Sequence, residues 1–265
     1  MDNKKDNTDQ PKGVNDILDE QISTAVYEYE RSNKRLFVSA LSAGLEIGFS
    51  VFLMAILFTL FHNKVSNEFL IVLISLAYPI GFIFVIIGRS ELFTEHTTLA
   101  ILPVLNKTTS IKSLFILWGI ILFGNLIGGY IIGAILVYFG PGIGIITNEA
   151  FLHLAHKVLD ISPQMILISA VIAGWLMGLL SWLLASSQET ISRIFMIVLV
   201  TATIGIGGLH HSIVGSIEVF TGLLIDPTIS VIDYLIFEII SILGNALGGV
   251  FFVGILKYGQ RRQLE

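Results

Sequence analysis

Gly124-Asn125-Leu126-Ile127-Gly128-Gly129 recurs further along the chain as Gly244-Asn245-Ala246-Leu247-Gly248-Gly249. Two more echoes keep the same order. Ala43-Gly44 with Gly48 matches Ala173-Gly174 with Gly178, and Glu91-Leu92-Phe93-Thr94 matches Glu218-Val219-Phe220-Thr221. Small residues four apart let helix backbones approach closely in lipid, so any one match is explained by packing alone. Three matches in order argue for a duplicated unit.

The surroundings of these motifs are apolar. Of 265 residues, 54% are hydrophobic and 13% charged, and mean hydropathy is +0.84. A soluble domain carries roughly 25% charged residues because its surface must be solvated, so most of this surface faces lipid. Cysteine is absent, which excludes disulfides and thiolate metal sites. The net charge of −5 says less than the placement of the positive residues.

Apolar stretches run over residues 36–61, 69–105, 114–139, 165–185, 194–225 and 235–258. A hydrocarbon core takes roughly 20 helical residues to cross. Four stretches fit one helix each. The second and fifth are too long and carry polar clusters in the middle, so each reads as a half-span on either side of a break. Each repeat then holds three spans, and an odd number turns the second repeat upside down. The expected fold is an all-α membrane protein of six spans, with repeats over about 36–139 and 163–258 and broken helices in spans two and five. Breaks at membrane depth persist only where protein buries them or where they line a cavity, so the two should face one another.

Lys4, Lys5, Lys12, Arg31, Lys34, Arg35, Lys107, Lys112, Arg193, Lys257, Arg261 and Arg262 fall on one side of such a bundle, against Lys64 and Lys157 on the other. Twelve against two puts both termini in the cytoplasm. The polar segment 1–35 has its apolar residues far from the start and is not a secretory signal. Ile17, Ile22, Ala25, Val26 and Tyr29 give it a loosely helical pattern, an amphipathic lead-in at the membrane surface. Residues 259–265 form a short cytoplasmic tail.

The first break carries Gly88-Arg89-Ser90-Glu91-Leu92-Phe93-Thr94-Glu95-His96, and the second carries Gly205-Ile206-Gly207-Gly208-Leu209-His210-His211-Ser212. Ionisable groups at this depth cost a few kcal/mol each and point to function. Arg89 and Glu91 read as a pair that locks the loop. His210 reads as a structural histidine, and His211 as a side chain able to exchange a proton near neutral pH. Glu95, His96, His210 and His211 also form a candidate metal set. Adjacent histidines on a helix diverge by ~100°, however, and an i, i+4 pair is missing. Lys157 is an interfacial lysine or an anion lure. A channel or transporter is expected rather than an enzyme, with no cofactor and no nucleic-acid partner. The rivals are a metal-dependent membrane enzyme and a non-conducting sensor.

Gly88-x-Ser-Glu-Leu-Phe-Thr94, Gly208-x-x-His211-Ser212-Ile213 and the two Gly-Asn-x-x-Gly-Gly motifs resemble the formate/nitrite transporter family over roughly residues 36–258, and a divergent branch of it most closely. The resemblance implies an aquaporin-like bundle, a homopentamer, and one pore per protomer for a small monovalent anion or its conjugate weak acid. It implies a central pair, Thr94 with His211, and apolar constrictions at Phe82 and Phe93 on the cytoplasmic side and at Tyr78 and Ile204 on the outer side. It also implies an outer lysine, Lys157, and a lead-in helix that gates the pore. Glu95, His96, His210, Gly174 and Arg89 depart from typical members, so the substrate transfers less securely than the fold. A cation or neutral solute on the same fold is the alternative.

Overall fold

The computed structural model describes residues 12–260. Lys4, Lys5, Arg261 and Arg262 of the charge tally lie outside the described residues. Within them the regular structure is entirely helical. A lead-in helix α1 (Val14–Glu30) precedes α2 (Asn33–Phe61), α3 (Asn67–Ala77), α4 (Pro79–Gly88), α5 (Phe93–Leu99), α6 (Ile101–Leu105) and α7 (Ile111–Gly142). The second part holds α8 (Asn148–Leu159), α9 (Pro163–Ser186), α10 (Thr190–Ile206), α11 (Ser212–Ile225) and α12 (Val231–Val250), with a π-helical continuation over Phe251–Lys257.

Among the described residues five helical runs are long and apolar enough to cross a membrane: α2, α3 with α4, α7, α9, and α12 with its continuation. Their outward faces carry large exposed apolar residues such as Phe115, Phe123, Ile168, Ile172, Leu243 and Leu247. In water such faces would drive association; in a bilayer they meet lipid or neighbouring protein. The polar side chains are buried instead, Thr94, Asn125, His211 and Asn245 among them. Lead-in helix α1 turns Ile17, Leu18, Ile22 and Ala25 against α5, α6 and α9.

In stretch 69–105 the pieces are unequal: 22 helical residues end at Gly88, and after the gap come the 7 of α5 and the 5 of α6. The first piece runs on past Pro79, and at that joint α2 supplies a side-chain bridge. The Ser50 hydroxyl donates to Tyr78 O (2.6 Å) and accepts from Gly81 N–H (3.0 Å).

Helix pairs α2·α7 and α9·α12 are built alike. A Cβ on Gly44 would stand 2.1 Å from Asn125 O, and one on Gly174 would stand 2.1 Å from Asn245 O. Gly128 and Gly248 are pressed as closely, at 2.2 Å from Leu41 O and 2.0 Å from Val171 O. Only glycine permits this backbone-on-backbone contact.

The asparagine between those glycines then reaches out of its helix. Asn125 Oδ1 accepts from Phe93 N–H (2.8 Å), while its Nδ2 donates to Ala40 O and Glu91 O (2.8 Å each). Asn245 Oδ1 accepts from Ser212 N–H (2.8 Å), and its Nδ2 donates to Ala170 O (2.8 Å) and His210 O (2.9 Å). The preceding helices also stop identically. Arg89 (φ 62°) and Gly208 (φ 59°) take the left-handed conformation, and Ser90 N–H and Leu209 N–H bond back to Val85 O and Ile204 O.

That register equates Glu91 with His210, Leu92 with His211, and Phe93 with Ser212. It corrects one expectation: Glu218 to Thr221 lie inside α11 and are not the mates of Glu91 to Thr94. The Glu-x-Phe-Thr echo is coincidental, whereas the glycine–asparagine motif is the true repeat.

Asn125→Ala or Asn245→Ala leaves a buried amide and carbonyl unpaired, at about 1–3 kcal/mol for each group. Each variant should lower the thermal midpoint of the detergent-purified protein well below that of Leu126→Ala, a position outside this network. Equal midpoints would remove the asparagines from this account.

Candidate functional site

Helices α5 and α11 both begin beside the asparagine clamps, and their first residues meet. Thr94 Oγ1 lies 2.8 Å from His211 Nε2, and both residues are buried. His211 caps α11, with its Nδ1 accepting from Val214 N–H at 3.4 Å. A neutral imidazole has one N–H, so Nδ1 as acceptor puts the proton on Nε2, which donates to Thr94. The threonine hydroxyl keeps its own proton for another acceptor. Phe82 stands edge-on to the imidazole at 5.1 Å and stacks on Tyr78 at 5.4 Å. Two helix amino termini converging on one point favour negative charge or an electron-rich oxygen there.

A chamber lies at each end of helix α4. The first, about 20 Å³, is lined by Tyr78, Ile204, Lys157, His211 and Glu218. It holds about one water. The second, about 360 Å³, is lined by Ile86, Ile87, Arg89, Glu91, Glu95, His96 and residues of α1. From Tyr78 to Ile87 the helix advances about 13 Å at ~1.5 Å per residue, with Phe82 between the two.

The larger chamber is closed over by α1 through charge. Arg31 Nη1 bonds Glu28 (2.6 Å) and also Glu91 in a short contact. His96 Nε2 pairs with Glu91 at 2.9 Å, its Nδ1 bonds Leu92 O, and Trp118 donates to His96 O (2.9 Å). Tyr29 OH reaches Ala100 O at 2.6 Å. Glu46 of α2 accepts from Ser90. The expected Arg89–Glu91 pair is therefore replaced. Arg89 occupies the left-handed position that glycine fills in the second half, so its exposed side chain points into the chamber, and Arg31 is the partner of Glu91.

The candidate metal set does not assemble. His210 is taken up by the Ser169 hydroxyl (2.8 Å) and Val158 O (3.2 Å), His211 by Thr94, and His96 by Glu91. Glu28, Glu91 and His96 do approach one another within 4.8 Å, but the Arg31 guanidinium already bridges the two carboxylates. Glu95 lines the larger chamber, half-buried. Phe93 turns its ring edge-on to Trp118 at 6.2 Å, and the mate of His211 is the fully buried Leu92.

Sequence reasoning passed over Glu28, Arg31, Glu46, Leu92 and Glu218. It also passed over helix α8, which carries Lys157. The buried residues of α8, Phe151, Leu154, Ala155 and Val158, follow a helical spacing that was available in the sequence.

Gly-packed helix pairs around a buried polar centre, with a chamber on either side, define a transport protein of the membrane. The chain belongs to the formate/nitrite transporter family, whose description matches residues 15–259. It is 34% identical over 238 residues to "Inner membrane protein YfdC" of Escherichia coli (strain K12), spanning 89% of this chain and 74% of that one. It is 28% identical over 186 residues to "Uncharacterized transporter YrhG" of Bacillus subtilis (strain 168), 68% of each chain. Among solved structures, an "FNT family ion channel" superposes with a TM-score of 0.82 at 20% identity, covering 94% of this chain and 100% of that one. A "Pentameric formate channel with formate bound" gives a TM-score of 0.73 at 21% identity, over 85% and 96%.

The Glu28 carboxyl, outside the spans, is held above its ordinary value of 4.5. Burial is the main cause and the Glu91 charge adds to it, while His96 and Arg31 pull the other way. A docked α1 thus binds this proton more tightly than a free one. That contribution to docking is full at low pH and fades as pH rises through the raised value. Hydrogen exchange across residues 14–30, corrected for intrinsic rates, should show protection falling with rising pH, more steeply in wild type than in Glu28→Gln. Superimposable profiles would dismiss Glu28 as the titrating group.

Proposed function

We propose that this protein is a channel or transporter for a small monovalent anion or its conjugate weak acid, proton-linked and centred on the His211–Thr94 pair. The observation that carries the reading is that pair, set where two helix amino termini converge between two chambers. In this reading six spans cross the bilayer, and spans two and five are interrupted after Gly88 and Ile206. The Lys157 chamber is the outer mouth, and the Arg31–Glu91 chamber is the cytoplasmic one. The membrane is the bacterial inner membrane with both termini in the cytoplasm, and the assembly is a homopentamer with one pore in each protomer.

The chemistry follows from what lines the path. Phe82, Tyr78, Ile204 and Leu92 offer an anion no compensation for its lost hydration, while a neutral acid loses far less. Leu92 takes the constricting role in place of Phe93, whose ring faces Trp118. Lys157 and the convergent amino termini draw the anion in. The anion takes a proton from water on the entry side, not from the neutral imidazole or the threonine hydroxyl. As the acid it passes the apolar ring, and it returns that proton to water on the far side. His211 orients the Thr94 hydroxyl, whose free proton is aimed at an acceptor oxygen. Helix α1, strapped to Glu91 by the Arg31 at its end, acts as the cytoplasmic gate.

A second reading rests on the carboxylates. Glu218 shares the small chamber with Lys157, and Glu28, Glu91 and Glu95 line the large one. A path so lined suits a cation or a neutral solute.

Proteoliposome flux separates the two readings. Formate and nitrite should cross faster with an inward proton gradient, and a monovalent cation should not. His211→Ala should slow formate by roughly ten- to a hundredfold, the equivalent of one buried polar partner at about 1–3 kcal/mol. Cation flux without formate flux would transfer the assignment to the second reading. Formate flux unaltered in His211→Ala would remove His211 from the mechanism.

A further inference from the structure

Glu238, on α12, lines neither chamber. It is 4% exposed, and neither of its carboxyl oxygens has a hydrogen-bond partner. Ser241 Oγ and Ser212 Oγ are also buried and unpartnered. Three orphaned polar groups in one part of a membrane bundle are costly unless something is bound there.

Their placement is ordered. Tyr234, Glu238, Ser241 and Asn245 recur at helical spacing along one face of α12. At one end, Asn245 holds Ser212 N–H and His210 O beside the central histidine. At the other, Tyr234 OH bonds the Ser216 hydroxyl (2.7 Å) and the Tyr130 hydroxyl of α7 in a short contact. The repeat register supplies a further fix. Glu238 occupies on α12 the place that Trp118 occupies on α7. Trp118 packs edge-on against Phe93, the mate of Ser212. Where the first half carries an indole that donates to His96 O, the second half carries a carboxyl.

Among the described residues no cation compensates it. Helices α9, α11 and α12 contain no lysine or arginine. Lys157 of α8 faces the Glu218 chamber, and His156 is drawn to Asp160 and Asp226. His210, His211 and, on α5, His96 are each engaged elsewhere, and Glu95 opens on the large chamber. One helical turn before Glu238 on α12 stands Tyr234, whose hydroxyl meets that of Tyr130. An ionised carboxylate so placed has neither a counter-charge nor a hydrogen bond to hold its charge, whereas the neutral acid leaves no charge to bury.

We propose that Glu238 is a proton-binding site in its own right, separate from the pore, carried as the neutral acid and flanked by the hydroxyl seam from Ser212 to Tyr130. It adds to the weak-acid reading a second protonatable group on the second repeat. It also stands apart from that reading, because a proton held at Glu238 is present whether or not formate crosses.

Infrared spectra of the reconstituted protein near neutral pH test this. Wild type should show a carbonyl stretch of a protonated carboxyl that shifts in D2O, and Glu238→Gln should lose one component of that band. Loss of a carboxylate band instead, or no loss, would overturn the proposal. A measurement on wild type alone guards against a misfolded variant. Dicyclohexylcarbodiimide, which adds to neutral membrane-buried carboxyls, should leave its adduct on the Glu238 peptide in mass spectra, and an unmodified peptide would count against the site. Neither readout needs flux, so a protein that fails to carry formate still tests Glu238.

Discussion

Backbone that leaves a helix inside a bilayer has no water to bond, and this bundle depends on how two asparagines meet that demand. Asn125 and Asn245 each use one carboxamide to hold an amide and a carbonyl of the neighbouring break, and a carbonyl of the helix they pack on. The flanking glycines are the other half of the device. Gly44 and Gly128, and Gly174 and Gly248, bring the paired helices so close that a methyl group would overlap a carbonyl oxygen. Only at that separation does a side chain as short as asparagine span from one helix to the loop of a third. Motif, close packing and interrupted chain are thus one constraint seen at three scales.

Much of this was legible in the sequence because it is written in residue types with a single use at this depth. Gly-Asn-x-x-Gly-Gly occurs twice since nothing else does the same task, and polar residues within apolar runs mark the gaps. Thr94 and His211 were nameable for that reason. What sequence hid was set by geometry between distant segments. Glu91 has a cation two residues away in sequence, yet pairs with Arg31 from α1, because the left-handed turn directs Arg89 elsewhere. Phe93 looks like a pore aromatic until its amide is pinned to Asn125, which swings the ring to Trp118 and leaves Leu92 at the position matching His211. The Glu-x-Phe-Thr echo misled because four residues carry too little information to fix a register that two hydrogen-bonded clamps define.

The two halves share a backbone and differ in side chains wherever chemistry is plausible. Leu92 faces His211 across the register, Arg89 matches Gly208, and Trp118 matches Glu238. Gly129 is closed over by Ile217, while Gly249 is closed over by Thr97 and Thr98. A duplicated scaffold supplies the geometry of a midplane site for both halves at once. Function then lies in the departures, since a symmetric centre would carry either two apolar residues or two histidines. Here one half contributes the imidazole of His211, and the other contributes Leu92 at the matching position and the Thr94 hydroxyl that meets the ring.

The same asymmetry bears on how the path opens. The Lys157 chamber, at about 20 Å³, has room for about one water, so nothing as large as a carboxylic acid fits while Tyr78 and Ile204 stay where they are. Tyr78 sits at the joint between α3 and α4, where Pro79 gives no N–H to the ladder and the Ser50 hydroxyl bridges Tyr78 O and Gly81 N–H. A joint held by one hydroxyl yields more readily than an intact helix. It lies one turn from Phe82, the ring that abuts His211. At the other mouth, α1 is seated on the buried Ile17, Leu18, Ile22 and Ala25 and tied at its end by the Arg31–Glu91 ion pair. Of these two attachments, salt and pH act on the second. Under the proposed function the His211–Thr94 centre stays on its two asparagine-held breaks, and opening falls to the Tyr78 joint at one end and to the α1 attachment at the other.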